Sequence, residues 1–269
     1  MLDEPRPTAD PAGPGSFASR LDAIRRNRFL PEPPPESIYV GDGDYRAIGA
    51  EFLEHFVRLG GLRPTDRVLD IGCGIGRMAV PLTQYLDPEL GSYEGFDPVS
   101  AGIVWCTQNV TPVYPAFRFQ HIDIAHALYN PQGCLPGTDL QLPLRPDSVD
   151  FALMVSVATH LPEAEIAVYA REVARVLKPG GRLFVTAFLA EEGRTAGPNL
   201  RFQPWAENTG WIANPAAPLA AIGFPRATFE RVLREVGLAT ELVSPGHWAG
   251  EPSDHFQDIV VAGKPGAAR

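Results

Sequence analysis

The sequence predicts an α/β fold, a doubly wound and mostly parallel sheet with helices on both faces. Three observations predict it. Apolar strand-like runs alternate with amphipathic helical stretches over most of the chain. The first of those strands runs into a glycine turn carrying Gly72, Gly74 and Gly76, which opens toward a helix. The stretch 149–156 is a continuous apolar run of the type buried on both faces of a parallel sheet.

The elements follow in order. Residues 1–36 hold eight prolines, including Pro33-Pro34-Pro35. Proline removes a backbone donor and fixes φ, so this segment reads as an N-terminal arm with one short helix at 17–27. The main domain then spans 37–269. Ile48, Phe52 and Phe56, with Leu53 and Val57 beside them, mark the first firm helix. Gly60-Gly61 ends it. A strand at 67–71 and a helix at 77–86 come next, with Pro81 early in that helix. A strand at 92–97, a helix at 100–109 and a strand at 117–122 continue the alternation. After the run at 149–156, Ile166, Tyr169, Val173 and Leu177 form a helical stripe, closed by Lys178-Pro179-Gly180-Gly181. A fifth strand is expected at 182–188. The stretch 191–225 breaks the rhythm with Pro, Gly, Trp205 and Trp211, and reads as an insert on the substrate side. A helix at 226–236 and two strands near Glu241 and Ile259 finish the domain.

Composition narrows the partners. The 269 residues suffice for one large domain. The net charge of −9 argues against nucleic acid, because phosphate binding needs clustered Lys and Arg. The only dense basic patch is Arg20, Arg25, Arg26 and Arg28, which a solvated helix face explains equally well. No apolar run approaches the roughly 20 residues of a membrane helix, and the N-terminus lacks a secretory pattern. Cys73, Cys106 and Cys134 are too few and too scattered for a disulfide framework or zinc site. A cytoplasmic protein without membrane or nucleic-acid partners is the expectation.

The chemistry concentrates in Val68-Leu69-Asp70-Ile71-Gly72-Cys73-Gly74-Ile75-Gly76-Arg77. Glycines allow a tight turn and let a ligand approach the backbone. Dinucleotide enzymes usually show G-x-G-x-x-G. Here Arg77 takes the final position, so a pyrophosphate site is disfavoured. Asp97 ends the next strand, about 20 residues on, where a carboxylate can accept both ribose hydroxyls. The plainer reading is an Asp that caps the following helix. Asp123 ends the third strand, where it can accept from an adenine amino group or simply close a turn.

Together these residues resemble the class I S-adenosylmethionine-dependent methyltransferases. The matching pieces, in order, are the glycine turn, Asp97, the Asp123 turn, the strand from Asp150 to Ser156, and Leu177-Lys178-Pro179-Gly180-Gly181. The resemblance implies a Rossmann-like sheet of seven strands whose last, at 256–262, is antiparallel. It implies S-adenosylmethionine as cofactor. Asp70 with Gly72, Cys73, Gly74, Gly76 and Arg77 would surround the methionine part. Asp97 with Pro98 would hold the ribose, Asp123 with Ile124 would flank the adenine, and the backbone near Ser156 would meet the methionine amino end. A shorter match, Tyr129-Asn130-Pro131 with the stretch 156–161, resembles bacterial O-methyltransferases associated with carbohydrate synthesis.

His160 lies four residues past Ser156, on the side of the sheet where ligands bind. It either acts as general base for a hydroxyl acceptor or packs against the helix that follows. Tyr129, Trp205, Trp211, His247, Trp248 and His255 are candidates for the acceptor pocket, although core packing is the plainer role for each Trp alone. The loop 41–45 either folds over the cofactor or forms a capping turn with Asp44 as N-cap. A divalent cation such as Mg is a further option, with Asp254, His255 and Asp258 as candidate ligands.

The expected function is methyl transfer from S-adenosylmethionine to a hydroxyl of a sugar or other polar small molecule. Rival readings are N-, C- or carboxyl-methylation of a small natural product, and a non-catalytic cofactor-binding module. The sequence leaves the oligomeric state open, a homodimer included.

Overall fold

In the computed structural model the described residues are 16–266, apart from 40, 42, 207 and 208. Helix α1 spans Phe17–Arg26 and α2 spans Tyr45–Arg58. Then come β1 (Arg67–Ile71), a single helical turn α3 (Ala79–Leu82), β2 (Ser92–Asp97), α4 (Ser100–Asn109) and β3 (Phe117–His121). Next are β4 (Val149–Met154), α5 (Glu163–Val176) and β5 (Leu177–Ala187). Three two-residue strands follow, β6 (Gln203–Pro204), β7 (Trp211–Ile212) and β8 (Ile222–Gly223). Helix α6 (Arg226–Glu235), β9 (Ala239–Ser244) and β10 (Asp258–Gly263) close the chain.

Seven strands form one sheet in the order β3-β2-β1-β4-β5-β10-β9. β1 to β5 are parallel, and β10 runs antiparallel between β5 and β9. The small strands make a separate antiparallel sheet of three.

The continuous apolar runs are explained by burial on both faces. In β1, Leu69 and Ile71 join a core shared with α5 and α6, while Val68 faces a core built with α1, α2 and α4. β4 divides the same way, with Ala152 and Met154 on one face and Phe151 and Leu153 on the other. This is the period of two that a strand imposes.

Three elements depart from expectation. The helix predicted at 77–86 is one turn long. Pro81 lacks the N–H and its ring crowds the preceding carbonyls, so the chain continues as turns. The glycines after α5 do not stand apart from the next strand, because β5 begins at Leu177 and absorbs the turn, with Gly180 at φ +83°. The N-terminal segment is less of an arm than its prolines suggest. Leu21 and Ile24, one helical turn apart, are buried with Leu30 in the α2-side core. Residues 1–15 of that segment lie outside the described residues.

Candidate functional site

The chain leaves β1 toward β2 and β3 on one side, then crosses back to β4 on the other. The carboxyl ends of β1 and β4 therefore diverge, and a crevice opens where open α/β sheets bind ligands. A cavity of about 510 Å³ occupies it. Its floor is Ile71 to Gly74 after β1 and Val155 to Val157 after β4.

The turn after β1 is held open by backbone geometry. Gly72 and Gly74 have φ of +79° and +56°, a region that L side chains rarely enter. A Cβ on Gly72 would stand 2.3 Å from Val157 Cγ2, so the two strand ends meet only because it is glycine. The Gly72 and Cys73 amides both donate to the Phe96 carbonyl, which ties the turn to β2.

Asp97 is buried at the cavity wall. Its Oδ2 accepts from the Gly74 amide at 2.7 Å and its Oδ1 from the Val99 amide at 2.8 Å. Burial pushes its carboxyl up to about 6, against the pull of those two amides. The residue thus caps both the glycine turn and the start of α4, and each oxygen keeps a second lone pair. Beside it the Tyr39 hydroxyl is buried, lines the same cavity and has no hydrogen-bond partner among the described residues. A buried polar atom is rarely left this way unless a ligand or water meets it.

These features fit S-adenosylmethionine. The backbone from Gly72 to Gly74, with Arg77, would lie along the methionine part, and Asp97 with Tyr39 would meet the ribose. Pro98, Ile122 and Ile124 form an apolar slot for the adenine. Arg77 is steadied by its bond to the Gly41 carbonyl at 3.0 Å.

The cavity wall also carries a chain of three side chains. The Tyr129 hydroxyl lies 3.1 Å from His160 Nε2. His160 Nδ1 lies 2.9 Å from the Leu219 carbonyl, and His126 Nε2 lies 3.2 Å from the His160 carbonyl. Carbonyls only accept, which assigns the tautomers. His160 carries its proton on Nδ1 and receives the Tyr129 O–H at Nε2. His126 carries its proton on Nε2 and takes the Leu128 amide at Nδ1, 3.2 Å away. Burial holds both imidazoles below their usual range, so they are neutral near pH 7. All three residues line the cavity.

Ser156 has φ of +59°, which is strained for a residue with a Cβ. The strain is held by a ring of bonds. The Ser156 amide donates to Thr186 Oγ1 at 2.7 Å, Thr186 Oγ1 donates to Gln257 Oε1 at 2.5 Å, and Gln257 Nε2 donates back to Ser156 Oγ at 3.0 Å.

Of the residues named from sequence, the cavity gathers Gly72, Cys73, Gly74, Arg77, Asp97, Pro98, Ile124, Tyr129, Ser156, His160 and His255. Others stand elsewhere. Asp70 points away from the cavity and accepts the Tyr93 hydroxyl at 2.6 Å in full burial. Gly76 is off the wall and packs where a Cβ would reach Cys106 Sγ. Asp123 closes its own loop, accepting from Asn130 Nδ2 and the Cys134 amide. Trp248 is buried among Phe188 and Phe202, and Trp211 packs on that cluster. Trp205 packs on the main core. His247 is exposed and meets Phe256 edge-on. Asp258 is tied to Arg194 and three N–H donors, away from His255. Asp44 is the N-cap of α2. Tyr39, Phe52, His126 and Gln257 line the cavity without having been singled out in the sequence. They come from the N-terminal segment, from a loop and from the strand-edge segment before β10, where no motif spacing marks them.

Known proteins share the family and the fold. Residues 27–244 match the model of the methyltransferase domain family. A sterol 24-C-methyltransferase of Schizosaccharomyces pombe is 28% identical over 144 residues, 53% of this chain and 33% of that protein. An uncharacterized methyltransferase of Mycobacterium bovis is 31% identical over 168 residues, 62% of this chain and 50% of that one. The chain thus spans between a third and a half of the length of these relatives. Among solved structures, a SAM-dependent methyltransferase from Aquifex aeolicus superposes with a TM-score of 0.52 at 18% identity, covering 80% of this chain and 89% of that one. The chain belongs to the methyltransferase domain family.

Proposed function

We propose that this enzyme methylates a hydroxyl carried on a largely apolar small molecule, with His160 as the proton acceptor through Tyr129. One observation carries the reading: on the cavity wall, the Tyr129 hydroxyl donates to the neutral imidazole of His160.

The cofactor supplies an electrophilic methyl group on a sulfonium. The chain supplies position and a path for the proton. The phenol oxygen of Tyr129 has lone pairs left to accept the acceptor's O–H. As that proton moves to Tyr129, the phenol proton passes to His160 Nε2 over 3.1 Å. The imidazolium that forms keeps its Nδ1–H bond to the Leu219 carbonyl at 2.9 Å, which orients and stabilises it. Tyr129 itself is held above its usual range by burial and by Asp97, so it relays a proton and does not hold a standing charge.

The walls beyond the cofactor argue for the acceptor's body. Ile48, Phe52, Leu161 and Phe256 are among the cavity's apolar lining. A sugar would set hydroxyls against these apolar faces and leave them unpaired, which is costly. An apolar skeleton bearing one hydroxyl meets both the walls and the Tyr129–His160 pair. The carbohydrate acceptor suggested by the short sequence match is therefore the weaker choice.

A carbon acceptor is the second reading, favoured by the likeness to a sterol 24-C-methyltransferase. Methylation of an alkene leaves a cation that must shed a proton, and the same His160 stands ready to take it. Radiolabelled methyl transfer over a panel of hydroxylated terpenoids, sterols, phenols and sugars tests the proposal. Transfer to oxygen of an apolar alcohol supports it. Transfer only to sugars or only to carbon overturns it.

A further inference from the structure

Outside the proton path, two imidazoles and two carboxylates meet at the far rim of the cavity. His55 on α2 and His255 before β10 face each other with ring centroids 5.2 Å apart at 73°. One ligand atom each from His55, Asp254 and His255 lies within 4.8 Å of the other two. His55 is 5% exposed, yet its Nε2 has no hydrogen-bond partner among the described residues. Glu51, one turn earlier on α2, holds its carboxylate 3.7 Å from that nitrogen, beyond hydrogen-bond reach.

The protons of His255 sharpen the picture. Its Nε2 lies 3.2 Å from the Ser244 carbonyl, which can only accept. Its Nδ1 lies 2.8 Å from Asp254 Oδ1 and 3.2 Å from Ser253 Oγ. A proton or a bound cation can join the imidazole and the carboxylate, and the unpartnered His55 Nε2 beside them favours the cation. Ligands bound at about 2.1 Å and at right angles on one ion stand about 3 Å apart, close to this spacing.

We propose that His55, His255 and Asp254, with Glu51 beside them, bind one divalent transition-metal ion of the zinc or ferrous class. Imidazole with carboxylate is the donor set these ions prefer over magnesium or calcium. The ligands come from α2 and from the segment before β10, so an ion joins two parts of the chain far apart in sequence. Asp254 is largely exposed, its side chain at 81%, and is free to close on the ion. His255 and Glu51 line the cavity, so the ion stands within reach of an oxygen on the acceptor. The inference does not rest on the identity of that acceptor, because its test reads binding.

The test is calorimetric titration of the untagged, chelator-treated full chain with Zn²⁺, and absorption titration with Co²⁺. One equivalent is expected, with a visible Co²⁺ band and a higher melting temperature when the ion is bound. Asp254→Asn changes an exposed side chain and should fold normally, while weakening the ion at least tenfold. His255→Gln should do the same and lose the band. Cys134→Ala, which removes an exposed thiol remote from this cluster, should leave binding unchanged. Absence of stoichiometric binding overturns the proposal. So does equal affinity in Asp254→Asn and wild type, or loss of binding in Cys134→Ala.

Discussion

The Tyr129 hydroxyl donates to His160 Nε2 at 3.1 Å, while the opposite nitrogen of the same ring is held by the Leu219 carbonyl at 2.9 Å. The pair is thereby fixed in direction: a proton can move from the phenol to the imidazole and not the reverse. His160→Gln keeps a polar side chain without a basic nitrogen. Turnover should fall by about 10²–10⁴-fold, the usual contribution of a positioned base, with cofactor affinity nearly unchanged. Tyr129→Phe should fall comparably, because the phenol is the link between acceptor and base. The double variant should be no worse than either single one. Additive losses, measured as kcat at saturating cofactor, would show two independent roles.

The pH dependence follows from burial. His160 sits below its usual range near 6.5, mainly through desolvation. It must be neutral to accept a proton, so kcat should be flat around neutrality and decline only as pH drops below 6.5. That acidic limb should vanish in His160→Gln. A midpoint above 6.5 would mean that the titrating group is another one.

Asp97 governs a different parameter. Its carboxylate caps two amides and has lone pairs left for the cofactor. Asp97→Ala should weaken S-adenosylhomocysteine by about 1.5–3 kcal/mol, the range for hydrogen bonds to a charged group. Because Asp97 is raised to about 6, cofactor affinity should also decline as pH falls through that value. Calorimetry between pH 5 and 8 separates this loss from the change in kcat. Unchanged affinity in Asp97→Ala would make it a cap alone.

Much of this arrangement was legible in the chain. β1, β2 and α4 begin and end where the apolar runs and the glycine turn place them, because local pattern and global burial agree there. Asp97 and His160 could be placed at the cavity wall because Asp97 ends β2 and His160 lies in the turn after β4. The rest was hidden for physical reasons. Trp205, Trp211 and Trp248 suggest a pocket by composition, but an aromatic ring buries equally well in a core, and only the packing of Phe188 and Phe202 decides it. Tyr39 and Phe52 reach the cavity from elements far away in sequence, so no spacing announces them. The short α3 shows one Pro outweighing an otherwise helical pattern.

Asp70 stands off the cavity wall, and its burial bears on stability. It is fully buried, accepts the Tyr93 hydroxyl and is raised to about 7, chiefly by burial. A carboxyl whose folded value exceeds its unfolded one stabilises the fold at low pH. That contribution is complete below about 4 and is lost as pH rises toward 7. Asp70→Asn removes the ionisable group and keeps an acceptor for Tyr93. It should raise the stability at pH 8 relative to wild type, by at most about 4 kcal/mol, and with it the melting temperature, and change both little at pH 4. A lower melting temperature at pH 8 would show that the buried amide costs more than the charge.

Asp258 closes the case for separating structural carboxylates from ligand-binding ones. Its Oδ2 accepts the Leu189 amide, the Trp248 indole N–H and Arg194, and its Oδ1 accepts the Gly246 amide and Arg194 again. It is 1% exposed, and from the start of β10 it ties Leu189 and Arg194 after β5 to Gly246 and Trp248 of the segment after β9. Asp258→Ala strips one partner from a buried pair and orphans three donors, so stability should fall by about 3–5 kcal/mol. Glu251, the other carboxylate on Arg194, moderates the loss but cannot reach the three donors. Asp258→Asn keeps an acceptor and should cost less. Neither variant should change the stoichiometry of Zn²⁺ in the folded protein, since no atom of Asp258 belongs to the His55–His255 cluster. Loss of the ion in folded Asp258→Asn would place Asp258 among its ligands. Undiminished stability in Asp258→Ala would mean that the hub is not what holds the insert.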